Sequence, residues 1–192
     1  MRFSECRRLI VSDLSRLTKS PSFCGGGKFL ISNASYRITF WFRIGSYLKT
    51  KSNPLHKLLF GLVFLIHKHN QYLTGIQLPF GTKIGAGLNF AHFSCIIINN
   101  SCTIGQNCTI FQGVTVGSVR GPEGGVPSIG DNVVLASGTQ VIGNVKIGNN
   151  VMIGAGAVVV TDIPDNAVAV GVPAKVVSFN GKTHAQLYIS HP

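Results

Sequence analysis

The sequence predicts a mainly β protein, a parallel β-helix of six-residue repeats preceded by an α-helical segment. Three observations carry this. Bulky apolar residues recur at every sixth position from Leu78 through Ile84, Phe90 and Ile96. After a slip of two the count resumes at Ile98, Ile104, Ile110 and Val116, and after a longer break at Ile129, Leu135, Val141, Ile147, Ile153 and Val159. Four residues past many of these stands a small or β-branched residue: Cys102, Cys108, Val114, Val133, Thr139, Val145, Val151, Ala157. A period of six fits neither the 3.6 of a helix nor the 2 of a hairpin strand. It is the hexapeptide signature of a β-helix.

Each hexad supplies a short strand and a corner, and three close a triangular coil of about eighteen residues. The apolar residue points inward and stacks on its equivalents about 4.8 Å away. Gly and Asn, as in Gly148-Asn149-Asn150, suit corners that need positive φ. One coil cannot bury its own face, so the stack makes the core. A β-sandwich with evenly spaced strands is the alternative, but it has no reason to hold a six-residue frame over so long a stretch.

The chain divides into a helical segment over 1–74, a β-helix over 75–178 and a tail over 179–192. Residues 5–19 show helical spacing at Leu9, Ile10, Asp13, Leu14 and Leu17. Ser20-Pro21 and Gly25-Gly26-Gly27 mark a loop. A second helix over 33–50 presents Tyr36, Phe40, Trp41, Ile44 and Leu48. Asn53-Pro54 starts a third, over 55–73. Its apolar run, 58–66, is too short to span a bilayer, which takes about 20 residues. The run packs on the prism or a neighbouring subunit, or rests on a membrane surface with Lys49, Lys51, Lys57 and Lys68 toward the headgroups. The polar loop 117–128 cannot stack and must leave the prism, where loops often carry function. The tail has no period and is expected to be loose.

Net charge is +11, with 6 acidic residues in 192, which favours an anionic partner. The repeat carries few charges and no basic cluster with interleaved aromatics, so nucleic acid is not expected. The 5 cysteines include no CxxC pair, and Cys102 and Cys108 fall on inward positions. A reducing cytoplasm is therefore expected, with peripheral contact at the inner membrane face as its variant. The N-terminus lacks the apolar run of a signal peptide.

His92 is the only histidine of the repeat. It lies where the frame slips, on a surface otherwise poor in titratable groups. An imidazole with an ordinary pKa of about 6.5 suits removal of a hydroxyl proton at neutral pH. A single histidine also leaves the repeat without a three-histidine zinc site, and no metal is expected.

Several stretches together carry a family resemblance: Gly75-Ile76-Gln77-Leu78-Pro79, Lys83-Ile84-Gly85, Ala91-His92-Phe93, Gln112 to Gly117, Pro127-Ser128-Ile129-Gly130, Ile153 to Val159, and Gly171-Val172-Pro173-Ala174-Lys175. The chain resembles the hexapeptide-repeat acyltransferases, in the serine acetyltransferase-like branch. The resemblance implies a left-handed β-helix, a homotrimer, and acetyl-CoA lying between two prisms. By position it implies Gly138, Ala155 and Gly156 along the pantetheine arm, Thr161 and Lys175 toward the nucleotide, and His92 as general base.

The chain departs from that branch at informative places. Gln77 stands where those enzymes pair an Asp with the histidine, and Ala91 replaces another Asp. Gly125-Val126 replaces an Arg-His pair associated with the amino-acid carboxylate, and Arg120 is the nearest substitute. These losses suggest an acceptor without a carboxylate: a sugar hydroxyl in capsule, exopolysaccharide or O-antigen synthesis, contacted by Asn89, Phe93 and Gln112. Serine as acceptor and a non-catalytic trimeric scaffold are the alternatives.

Overall fold

The computed structural model describes residues 1–121 and 124–189. Four helices come first: α1 (Phe3–Leu14), α2 (Gly27–Ser32), α3 (Ala34–Lys49) and α4 (Pro54–Thr74). The Asn33 side chain caps α3 by accepting from the Tyr36 N–H, and Asn53 caps α4 by accepting from Leu55 N–H. Gly75 ends α4 at φ 66°. A Cβ there would lie 3.0 Å from the Cys95 amide nitrogen, so the glycine lets the helix end press against the chain just past His92.

The rest is a three-sided prism of parallel sheets. One face holds β1 (Ile76–Gln77), β4 (Ile96–Ile98), β7 (Thr115–Gly117), β10 (Gln140–Ile142) and β13 (Val158–Val159). The second holds β2 (Lys83–Ile84), β5 (Thr103–Ile104), β8 (Ser128–Ile129) and β11 (Lys146–Ile147). The third holds β3 (Asn89–Phe90), β6 (Thr109–Ile110), β9 (Val134–Leu135), β12 (Met152–Ile153) and β14 (Val168–Val170), with β15 (Lys175–Ser178) added antiparallel at the edge. Registers align the repeat residues: Ile84, Ile104, Ile129 and Ile147 form one column, Phe90, Ile110, Leu135 and Ile153 another. Every in-frame residue is buried except Ile84, which is half-buried.

The corner between the second and third sheets carries an amide ladder. Asn107, Asn132, Asn150 and Asn166 all hold left-handed φ of 54–61°. The first three donate through Nδ2 to the Oδ1 of the next, at 3.1, 3.0 and 3.2 Å. Asparagine tolerates this conformation and satisfies its own amide by stacking.

The open first coil is closed by α3, whose Ile38 and Phe42 join the prism core. Beneath them, Arg43 and Asp13 form a buried pair, with Nε to Oδ2 at 2.8 Å and Nη2 to Oδ1 at 3.1 Å. Arg43 also donates to the carbonyls of Ile84 and Gly85, and Asp13 accepts from Leu88 N–H. The pair thus ties α1 and α3 to the first coil.

Several expectations change. The first helix stops at Leu14, short of 19, and α2 forms inside the expected loop. The buried face of α3 runs through Ile38, Thr39, Phe42, Arg43 and Gly45, leaving Phe40, Trp41 and Ile44 partly exposed. Packing against α1, α4 and the prism at once turns that face. The loop over 117–128 is an excursion pinned by a Val119–Gly125 bridge; its residues 122–123 lie outside the described residues. The expected loose tail contains a helix, α5 (Gly181–Ile189), while 190–192 lie outside the described residues. Its order comes from docking: Gly181 N–H donates to Asn166 O, and Ala185 is buried. On α4, Leu55, Leu58, Leu62 and Leu65 are exposed within the single chain. Among the described residues no helix is long and apolar enough to cross a membrane.

Candidate active site

His92 sits in the turn between β3 and β4, where the third sheet passes to the first. Ser94 and Cys95 there take φ of 113° and 52°, and they belong to the extra residues that slip the frame. The exposed His92 ring meets the ring of Phe111 edge-on, with centroids 5.9 Å apart. It lines a cleft of about 340 Å³ with Ala91, Phe93, Ser32, Asn33, Ala34 and Ser35. The α2–α3 junction therefore walls the site from the helical segment. Nothing in the sequence marked Ser32 or Ser35, since no chemical signature connects them to a histidine far along the chain.

Below His92 the same corner repeats as Phe111-Gln112-Gly113, Ala136-Ser137-Gly138 and Gly154-Ala155-Gly156. Gly113, Gly138 and Gly156 hold φ of 75°, 73° and 68°. A Cβ on Gly113 would stand 3.3 Å from Gly138 Cα, and one on Gly138 3.8 Å from Gly156 Cα. The glycines make a smooth strip leading down from His92, along which a ligand can reach backbone groups. The segment 171–174 folds beneath it, with Val158 N–H donating to Gly171 O and Ala174 N–H to Val158 O. Lys175 follows, exposed. The structure thus brings together Gly138, Ala155, Gly156 and, near the end of the strip, Lys175. Thr161 lies past β13, toward the other edge of the first sheet.

The remaining expected residues scatter. Asn89 is half-buried on β3, and Phe93 lines the His92 cleft. Gln112 lies in the strip, with its Oε1 buried and unpartnered among the described residues. Arg120 is exposed on the loop after β7, across the first sheet from His92. Gln77 makes no hydrogen bond to His92. It lines a separate cavity of about 600 Å³ with Phe60, Phe64, His67 and Phe80. His67 donates through Nε2 to Leu78 O at 2.7 Å, and burial lowers its pKa. Burial pushes the Cys102 and Cys108 thiols up to about 11 and about 12, which marks both as packing groups and not nucleophiles. Among the described residues no group of three or more His, Cys, Asp or Glu is placed to hold a metal ion.

Residues 127–161 match the family model described as bacterial transferase hexapeptide (six repeats). The match falls on the later coils of the prism, from β8 to just past β13. The serine acetyltransferase of Staphylococcus aureus is 44% identical over 118 residues, 60% of this chain and 55% of that protein. That of Staphylococcus epidermidis is 42% identical over 120 residues, 62% of this chain and 56% of the relative. The chain thus spans just over half the length of the curated relatives it matches. Among solved structures, the serine acetyltransferase of Neisseria gonorrhoeae superposes with a TM-score of 0.73 at 28% identity, covering 91% of this chain and 67% of that one. The same enzyme in complex with serine gives 0.73 at 25%, covering 91% and 70%.

These likenesses correct the glycan acceptor expected from the sequence: the relatives just named are serine acetyltransferases and not enzymes of polysaccharide synthesis. The glycan expectation rested on charges missing at Gln77, Ala91 and Gly125-Val126. A side chain missing at one matched position does not remove a charge from a site that another segment or a neighbouring copy completes.

Proposed function

We propose that this chain transfers an acetyl group from acetyl-CoA to the hydroxyl of L-serine, as a homotrimer of left-handed prisms. The 44% identity to serine acetyltransferase is the observation that carries the acceptor. His92, at the mouth of a cleft sized for a small molecule, removes the serine hydroxyl proton as that oxygen attacks the thioester carbonyl. A backbone N–H of the 112–117 stretch stabilises the oxyanion. The C–S bond then breaks, and His92 returns the proton to the CoA thiolate. The glycine strip seats the pantetheine arm through Gly138, Ala155 and Gly156, with Lys175 toward the phosphates.

The layout supports the trimer. Within one chain His92 and the Arg120 loop flank opposite edges of the first sheet, so a neighbouring copy brings the loop of one chain toward the histidine of the next. In this reading Arg120 meets the serine carboxylate. Light scattering should give three times the 20.5 kDa chain mass, and a fully active monomer would defeat the shared site. CoA release should depend on added L-serine. Arg120→Gln should raise the KM for serine by about 10-fold or more with little change in kcat, as loss of a charge-assisted hydrogen bond does. Release that ignores serine but responds to a sugar would overturn the acceptor assignment.

A further inference from the structure

The C-terminal helix reaches the histidine. Tyr188, near the end of α5, packs edge-on against Phe111 with ring centroids 5.5 Å apart and an interplanar angle of 87°. Phe111 in turn packs against His92. The three rings form a row running from α5 to the candidate base.

Its far end is anchored. The Arg16 guanidinium donates to Tyr188 O at 2.6 Å, to Gly87 O at 2.8 Å and to Thr109 Oγ1 at 2.9 Å. One side chain therefore clamps α5 to two coils of the prism. At its other end α5 has no slack: a Cβ on Gly181 would collide with the carbonyl oxygens of Ala167 and Asn150. No hydrogen bond among the described residues fixes His92, and Gln77 lies in another cavity. The usual device, a carboxylate or carbonyl on the second ring nitrogen, is missing from the described residues of the single chain.

We propose that Tyr188 and Phe111 are positioning residues for His92, with Arg16 locking Tyr188 in place. Edge-to-face aromatic contacts are directional, so the row favours one orientation of a surface ring. A flat wall that fixes the imidazole plane, leaving both nitrogens free, suits a group that takes a proton and then returns it.

The proposal rests on the assignment of His92 as base, and the test separates the two. In Tyr188→Ala, kcat should fall by about 10-fold or more, since small misplacement of a reacting group is costly. The KM for acetyl-CoA should stay the same, because the glycine strip is untouched. Tyr188→Phe should restore kcat, as the hydroxyl takes no part. Arg16→Gln should behave like Tyr188→Ala. By NMR, the His92 ring protons, assigned with His92→Gln, should lose their aromatic ring-current shift in Tyr188→Ala and keep it in Tyr188→Phe. Unchanged kcat and an unchanged His92 signal in Tyr188→Ala would overturn the positioning role. Normal turnover in His92→Ala would overturn the base assignment, while the NMR comparison would still report whether the row orients the ring.

Discussion

His92→Ala is expected to turn over at least about 10²-fold more slowly than the parent chain, the usual loss when a general base is removed. Acetyl-CoA affinity should survive, since the strip of Gly113, Gly138 and Gly156 does not depend on the imidazole. Calorimetric titration with CoA and a steady-state assay on the same preparation separate the two quantities. His92→Asn, which keeps much of the ring's bulk against Phe111, should be as slow as the alanine variant. If that variant alone recovered activity, packing and not proton transfer would be the role of residue 92. Near-normal rates in both well-folded variants would remove His92 from the chemistry.

The second large effect concerns stability. Asp13→Ala should destabilise the chain by about 3–5 kcal/mol, because it leaves the Arg43 guanidinium buried without its counter-charge. Side-chain exposure at Arg43 and Asp13 is 3% and 1%, so water cannot easily replace the carboxylate. Leu88 N–H loses its acceptor as well. The double variant that combines Asp13→Leu with Arg43→Met should recover most of the loss, since an apolar pair of similar volume avoids the desolvation cost. Urea midpoints at one fixed protein concentration measure this, as an oligomer's apparent stability depends on concentration. A single-variant loss under about 1 kcal/mol would mean the pair is wetter than its geometry indicates. The consequence reaches the site. Arg43 holds the Ile84 and Gly85 carbonyls, and α3 begins at the junction that walls the His92 cleft.

What the sequence revealed depends on how local the cause is. The hexad columns were legible because an inward residue every sixth position is the only way to fill a narrow prism; the half-buried Ile84 lies where α1 and α3 leave a groove beside the second sheet. His92 stood out by its isolation. The Asp13–Arg43 pair stayed hidden, because a buried ion pair joins two helices whose sequences each read as ordinary amphipathic stretches. Tyr188 stayed hidden too, as α5 is ordered by what it docks on and has little pattern of its own. The acceptor was misread for a related reason. Missing charges at matched positions describe one chain, whereas the proposed site joins edges from two.

The asparagine ladder has a consequence for how such a protein changes over time. Rungs along it are separated by 25, 18 and 16 residues, yet the amides meet at nearly constant distance. All the length variation is therefore displaced to the other two edges of the prism. Along its described part, the ladder edge behaves as a keel. It holds each coil in step with the one before, and extra chain emerges at the other two edges. The slip at Ser94-Cys95 beside His92, and the excursion bearing Arg120, are both such places. A keel of this kind separates what keeps the stack in register from the edges that carry the proposed site, so new loops can be tried on two edges while the third preserves the fold.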